Sequence, residues 1–257
     1  MVTKTVAVLA CDTPAQQIVD KEGDYPVMFE RLLKKGLADL GGKPIDLHFE
    51  AFDVAGKGEL PSATDLARLD VLLITGSKHG VNDGLPWTQS AMALLREVAS
   101  EGRIKIVGIC FGHQLVAAAF GGIRSCLKNP KGWEAGWTQM KLTDAGKQFL
   151  GDKDAVVSQF YSMHKDIVTV CPQGFTNLFQ TDLCQYQSLV NHKKSVITIQ
   201  SHPEFSPFTI REIVKLRKAN AVFDTDYAEE LMAIMDKDLP VDSAWFTQVI
   251  LRFCFEQ

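Results

Sequence analysis

No stretch of this chain approaches the roughly twenty consecutive apolar residues that a membrane-spanning helix needs. Positive charge is not in excess either: 27 Lys and Arg stand against 31 Asp and Glu, a formal net charge of −4. A broad basic surface is thereby excluded, so neither nucleic acid nor an anionic membrane is expected as a partner, and the substrate is expected to be small. Cysteine is sparse and scattered: Cys11, Cys110, Cys126, Cys171, Cys184 and Cys254 form no CxxC pair. That spacing fits neither a zinc site nor a dense disulfide framework and points to a reducing, cytoplasmic setting. No phosphate-binding glycine loop and no metal-ligating cluster stands out, so no cofactor is expected. Repeats, low-complexity tracts and linker-like stretches are missing as well. What is left is an ordinary globular composition, 46% hydrophobic and 23% charged over 257 residues, enough to bury a sizeable core. One domain over residues 1–257 is the expectation, with a helical C-terminal extension over about 206–257.

The opening TKTVAVLAC has one lysine and too short an apolar core for a signal peptide, and reads as a first β-strand. From there strand-like and helix-like segments alternate. TVAVLA, IDLHFEAF, DVLLIT and KIVGI read as strands. Between them lie YPVMFERLLKKGLADLGG, an amphipathic helix closed by Gly41 and Gly42, a short helix over SATDLARL, and TQSAMALLREVASEG; GHQLVAAAFGG follows the fourth strand. Continuous apolar strands joined by helices predict an α/β fold, an open, mostly parallel sheet with helices on both faces. From about Trp137 to Gln200 the shorter segments WTQMKLT, AVVSQF, IVTV, LCQYQSLV and SVITIQ predict a small antiparallel addition to the sheet. The tail is helical, with apolar spacing in IREIVKLRKANAVF, YAEELMAIM and AWFTQVILRF. In such sheets ligands gather beyond the carboxyl ends of the strands. TGSKHG, after DVLLIT, and the cysteine after KIVGI both fall at that edge.

Within IVGICFGHQL, Cys110 sits between Gly108 and Gly112 at a strand-to-helix turn. Such a turn lifts the central side chain out of the backbone, and flanking glycines remove Cβ atoms that would clash there. GICFG has the form of the G-x-S-x-G nucleophile elbow with thiol replacing hydroxyl. The following helix aims free N–H groups at the sulfur, which favours the charged form, and backbone N–H groups at the same place could hold an oxyanion. The other five cysteines are expected to be buried structural thiols. A thiolate nucleophile also needs a base with an orienting partner, and VITIQSHPEFSP offers both. Pro203 biases His202 towards extended backbone, in which residues i and i+2 share a side, so Glu204 can accept from one imidazole nitrogen and leave the other for the thiol.

At these residues the chain resembles the class I glutamine amidotransferases of triad type. Their signature is a glycine-framed cysteine, G-x-C-x-G-x-Q, followed much later by H-P-E; here those are GICFGHQ and SHPEF. TGSKHG lies where that family has its oxyanion-loop glycines, and the likeness runs over roughly residues 5–205. The resemblance implies a flavodoxin-like fold in which Cys110 attacks the γ-carbonyl of a glutamine-like side chain and forms a γ-glutamyl thioester. It implies that His202 protonates the departing amine and later activates water, while Glu204 fixes the imidazole. Backbone N–H groups of Phe111 and Ser77 would hold the oxyanion, Gly76 would shape that loop, and Gln114 would sit near the substrate's amide or glutamyl chain. Glutamine or a γ-glutamyl compound is the implied substrate; a synthetase partner or a homo-oligomer stays open.

The chain departs from the family pattern in places. Lys78 stands where partner-dependent members have a proline, HGVNDGLPW makes a longer connection, and no ammonia-using synthetase segment is recognisable. These traits look like the stand-alone branch, which includes γ-glutamyl peptidases acting on glutathione-like conjugates. The expectation is a cysteine-dependent γ-glutamyl amidohydrolase or peptidase. A glutaminase subunit feeding a separate synthetase, and a non-catalytic sensor or interaction protein on the same scaffold, remain as alternatives. A cysteine α/β-hydrolase is set aside, because its acid precedes the histidine whereas Glu204 follows His202. Glu134, Gly136, His164 and Asp166 fall where relatives have similar residues; structural roles are favoured for them, with a place at the border of the site as the alternative. His113 is expected to pack behind the elbow, and His48, His79 and His192 to be surface or satisfied histidines.

Overall fold

The computed structural model describes residues 2–40, 45–151 and 157–256. Strand β1 (Val2–Ala10) leads into helices α1 (Gln16–Glu22) and α2 (Tyr25–Leu40), and β2 (Ile45–Asp53) into the short α3 (Val54–Lys57) and α4 (Ala63–Arg68). Ser62 caps α4 in a reciprocal box with Asp65, which accounts for a helix of six residues starting there. β3 (Val71–Ile74) precedes α5 (Pro86–Glu101), and β4 (Lys105–Ile109) runs directly into α6 (Phe111–Gly121). Then follow β5 (Cys126–Lys128), β6 (Glu134–Leu142), α7 (Asp144–Leu150), β7 (Val157–His164), β8 (Asp166–Val168), β9 (Phe175–Gln180), β10 (Ser188–Asn191) and β11 (Val196–Ile199). The tail forms α8 (Pro207–Ala219), α9 (Thr225–Met235) and α10 (Ser243–Phe255). The expected closure of α2 by Gly41 and Gly42, and residues 155–156 of the expected strand AVVSQF, lie outside the described residues.

Nine strands form one sheet in the order β2-β1-β3-β4-β11-β10-β9-β6-β7, and β5 pairs with β8 in a separate two-stranded ribbon. The first five strands are mutually parallel. The strands from β10 outward are joined antiparallel. Parallel strands must be covered on both faces, and successive side chains of β1 show how: Val6 and Val8 join a core with Met28, Phe29, Phe246 and Ile250, while Ala7 and Leu9 join one with Leu95 and Leu115. Helices α2 and α10 thus cover one face, α5 and α6 the other.

Several strands differ from the sequence expectation. β11, expected in the antiparallel addition, is antiparallel only to β10 and lies parallel to β4 on its other side, Ile199 facing Ile109. Its four residues VITI are all buried, which is the pattern of an interior parallel strand. Of LCQYQSLV only Ser188–Val190 is strand, within β10, while FTNLFQ forms an unanticipated β9; IVTV, expected in the sheet, contributes Ile167 and Val168 to β8, which pairs with β5 outside it. The consequence for function is the neighbourhood of β4. It is flanked by β3 and β11, both parallel to it, so the turns after all three emerge side by side at one carboxyl edge. Among the described residues no helix is long and apolar enough to cross a membrane.

Candidate active site

Cys110 caps α6 with φ 51° and ψ −102°, outside the regions an L-residue adopts freely. Strain of this kind costs on the order of 1–3 kcal/mol and persists only where the surroundings impose it. They do: Cys110 donates its N–H to Ile199 O at 2.8 Å, extending the β4–β11 pairing, and its own carbonyl accepts from Gln114 N at 3.1 Å as the first bond of α6. The framing glycines act through close packing. A Cβ on Gly112 would lie 2.5 Å from the Ile74 carbonyl oxygen, and one on Gly108 2.7 Å from the Gly112 carbonyl oxygen. Helix and strands can therefore approach closely enough to force the turn only if both positions are glycine.

His202 leaves β11 in an isolated bridge with Tyr161, its N–H donating to Tyr161 O at 2.8 Å. The extended backbone expected through Pro203 ends there. Phe205 N returns to His202 O at 3.4 Å, so residues 202–205 form a turn with proline at its second position, where its fixed φ fits. The outcome is the expected pairing by another route: His202 Nδ1 donates to Glu204 Oε1 at 2.7 Å, both side chains buried. The turn also lays Phe205 flat on the imidazole, centroids 3.9 Å apart and planes within 5°. Phe205 is a positioning contact that strand periodicity could not reveal.

Gly76, at the end of β3, sits against both groups: a Cβ there would lie 2.8 Å from His202 Cε1 and 3.6 Å from Cys110 Cβ. Gly76→Ala is therefore expected to push the imidazole aside and lower kcat by about 10²-fold with little change in Tm, since a displacement near 1 Å at a reacting group carries that cost. Steady-state kinetics and a thermal melt check both parts.

Burial by itself would push the His202 imidazole down. The negative charges of Cys110 and Glu204, with hydrogen bonds to each, overcome it and raise the group to about 10. The second carboxylate oxygen, Glu204 Oε2, is buried without a hydrogen-bond partner among the described residues. Burial raises the other five thiols, Cys126, Cys184 and Cys254 to about 12; Cys11, Cys126 and Cys184 are buried as expected, whereas Cys171 and Cys254 are half-buried.

Cys110 is 4% exposed, yet it lies where two lobes of a cleft meet. Lobe 1, about 310 Å³, is lined by His202, Phe205, Tyr25, Asp12 and the inner face of α8; lobe 2, about 290 Å³, by Gln114, His164, Asp166, Lys128, Asp83 and Trp133. Ser77, Lys78, Met163 and Arg217 border both. Asp12 holds the loop after β3 by accepting from the Lys78 backbone N–H and its ammonium, each at 2.8 Å. Lys78, the departure noted in the sequence, is thus anchored by a residue from the loop after β1.

Of the residues singled out from sequence, Gly76, Ser77, Cys110, His202 and Glu204 converge, and Phe111 follows Cys110 as the first residue of α6. Gln114 borders lobe 2, but its amide donates to Asp166 O at 2.8 Å and to Gln200 Oε1 at 3.1 Å. Gln200 in turn donates to Cys110 Sγ at 3.5 Å, so these two glutamines form a chain that ends on the sulfur. Glu134 and His164 face each other at 2.9 Å in the interior. Burial would raise the Glu134 carboxyl, but His164 outweighs it and holds it below the usual range. His113 is a packed histidine as expected. Its Nε2 donates to Tyr186 O at 3.0 Å, Nδ1 meets Thr198 Oγ1 at 2.8 Å, and burial pushes it down to about 3. His48 and His79 do have acidic neighbours, Glu50 at 3.6 Å and Asp83 at 4.0 Å, and His192 is exposed.

The profile of the glutamine amidotransferase class-I family matches residues 59–219. A glutamine amidotransferase-like protein of Schizosaccharomyces pombe is 32% identical over 253 residues, covering 98% of both chains. Gamma-glutamyl peptidase 4 of Arabidopsis thaliana is 25% identical over 201 residues, covering 78% of this chain and 79% of that protein. Among solved structures, a glutamine amidotransferase from Thermotoga maritima superposes with a TM-score of 0.73 at 18% identity, covering 98% of this chain and 99% of that one.

Proposed function

The chain belongs to the glutamine amidotransferase class-I family, and from that premise we propose that it is a cysteine hydrolase that cleaves a γ-glutamyl amide through a thioester on Cys110. The observation that carries this reading is a buried imidazole placed between a strained cysteine and a carboxylate. His202 holds its proton, because the negative charges beside it favour the imidazolium where water cannot reach, and Cys110 reacts in its thiolate form. The thiolate attacks the γ-carbonyl carbon. Backbone N–H groups of Phe111 and Ser77 hold the oxyanion, and loss of one such donor costs about 10²–10³ in rate. The C–N bond breaks as His202 gives its proton to the departing nitrogen, which is too basic to leave as an anion. Water then passes a proton back to His202 and attacks the thioester; the C–S bond breaks, glutamate leaves and the thiolate returns.

The positions of the lobes orient the donor. His202 borders lobe 1 and not lobe 2, so a departing nitrogen within reach of its proton lies on the lobe 1 side, and the glutamyl chain extends into lobe 2. The mixed charges there, Lys128 and Lys165 with Asp83 and Asp166, suit an α-amino acid head. Intact-protein mass spectrometry after mixing with γ-glutamyl donors tests the reading. A glutamyl adduct on Cys110 is expected; no adduct and no glutamate from any donor would sink it.

The pH dependence has a definite sign. The proton on His202 is needed for amide cleavage and is held up to about 10, so the acylation rate is expected to fall as pH rises through that value. Glu204 helps to raise His202, so Glu204→Gln moves the alkaline limb to lower pH. A pH–rate profile with an amide donor checks this, and a limb that does not move on E204Q would refute the assigned role.

A further inference from the structure

Two cations border both lobes. Lys78 is paired with Asp12 at 2.8 Å, whereas Arg217 has no carboxylate partner among the described residues. Arg217 lies in the last turn of α8, and its guanidinium Cζ sits 5.1 Å from the centre of the Trp133 ring. That stacking steadies the guanidinium by its face and leaves its fork of N–H donors for a ligand.

Lobe 1, on whose side the departing nitrogen lies, encloses about 310 Å³, a volume typical of small-molecule sites and far beyond what ammonia requires. Its walls carry apolar surface from Ile18, Tyr25, Phe205, Ile213 and Leu216. With Lys78 paired to Asp12, Arg217 is the cation of this lobe left without a carboxylate partner among the described residues. Apolar walls with one free guanidinium match an amine that carries both a side chain and a carboxylate, because a planar carboxylate accepts two parallel bonds from arginine.

We propose that lobe 1 is a leaving-group subsite in which Arg217 binds the carboxylate of an amino acid or peptide, so that the preferred donor is a γ-glutamyl dipeptide or longer peptide with a free carboxylate. This rests on the γ-glutamyl hydrolase reading above. The γ-amide bond breaks, and the departing nitrogen takes the His202 proton and becomes the α-amine of the released amino acid; water then adds one oxygen to the γ-carbonyl carbon as the C–S bond breaks, and returns a proton to His202. Arg217 touches the donor away from the reacting atoms and therefore sets specificity.

The test compares γ-glutamylalanine with its C-terminal amide, using γ-glutamyl p-nitroanilide, which has no carboxylate on its leaving group, to report acylation by itself. In the wild-type protein kcat/KM for the acid is expected to exceed that for the amide by about tenfold or more. In Arg217→Met the ratio is expected to fall to about one, with Arg217→Lys between. Equal use of acid and amide by the wild type, or an unchanged ratio in R217M, overturns the proposal while p-nitroanilide turnover leaves the hydrolase reading standing. The wild-type ratio needs no variant to fold. If none of the three donors is cleaved, the hydrolase reading falls and the subsite with it.

Discussion

Cys110→Ala is expected to reduce glutamate release by about 10⁴–10⁶-fold and to abolish the covalent adduct, because removal of a nucleophile from a coupled triad costs about as much as removal of the whole triad. The fold should survive, since the strain at this position belongs to the backbone and to its contacts with Ile199 and Gln114. Cys110→Gly separates strain from chemistry. It should be as inactive as the alanine variant but more stable by about 1 kcal/mol, the released strain exceeding the greater chain entropy of glycine. A chemical denaturation curve and an assay with γ-glutamyl p-nitroanilide read the two effects. Residual turnover within tenfold of wild type in C110A would place the chemistry elsewhere.

His202→Gln is the second large effect. Glutamine retains a polar side chain of similar reach but cannot carry the proton, so an amide donor should lose about 10²–10⁴-fold in kcat/KM from the missing general acid. A donor whose leaving group departs without a proton, such as a γ-glutamyl thioester, should lose much less in the acylation step. Single-turnover rates for the two donors give the comparison. Equal losses on both would mean that His202 serves only to hold Cys110 in place. The same reasoning sets Phe205 apart from the triad, because its contact is with the imidazole face and its removal should disorder the acid without removing the proton.

Much of the site was legible because its signals are local. Gly108, Cys110 and Gly112 lie within five positions, and the need for two missing Cβ atoms around one raised side chain leaves a mark in sequence. His202, Pro203 and Glu204 are adjacent, so their pairing follows from local backbone geometry, even though the geometry is a turn and not the extended chain expected. The apolar runs of β3 and β4 likewise announce interior parallel strands. The short β9 and α7 did not stand out, since a few residues of mixed burial carry little periodicity.

By itself the sequence determined the α/β alternation and singled out Cys110, His202 and Glu204 as the candidate site, and it carries neither an excess of basic residues nor a long apolar run. Only the tertiary structure decided that β11 inserts beside β4, which brings His202 to Cys110 across 92 positions of chain. It also decided that Asp12 anchors Lys78, that Gln200 reaches the sulfur and that Arg217 from α8 stands at the cleft. The physical reason is range. Turn strain and strand burial are set by neighbouring residues, whereas strand order and side-chain meetings arise from burying distant surfaces together, and no short window of sequence encodes which surfaces those are.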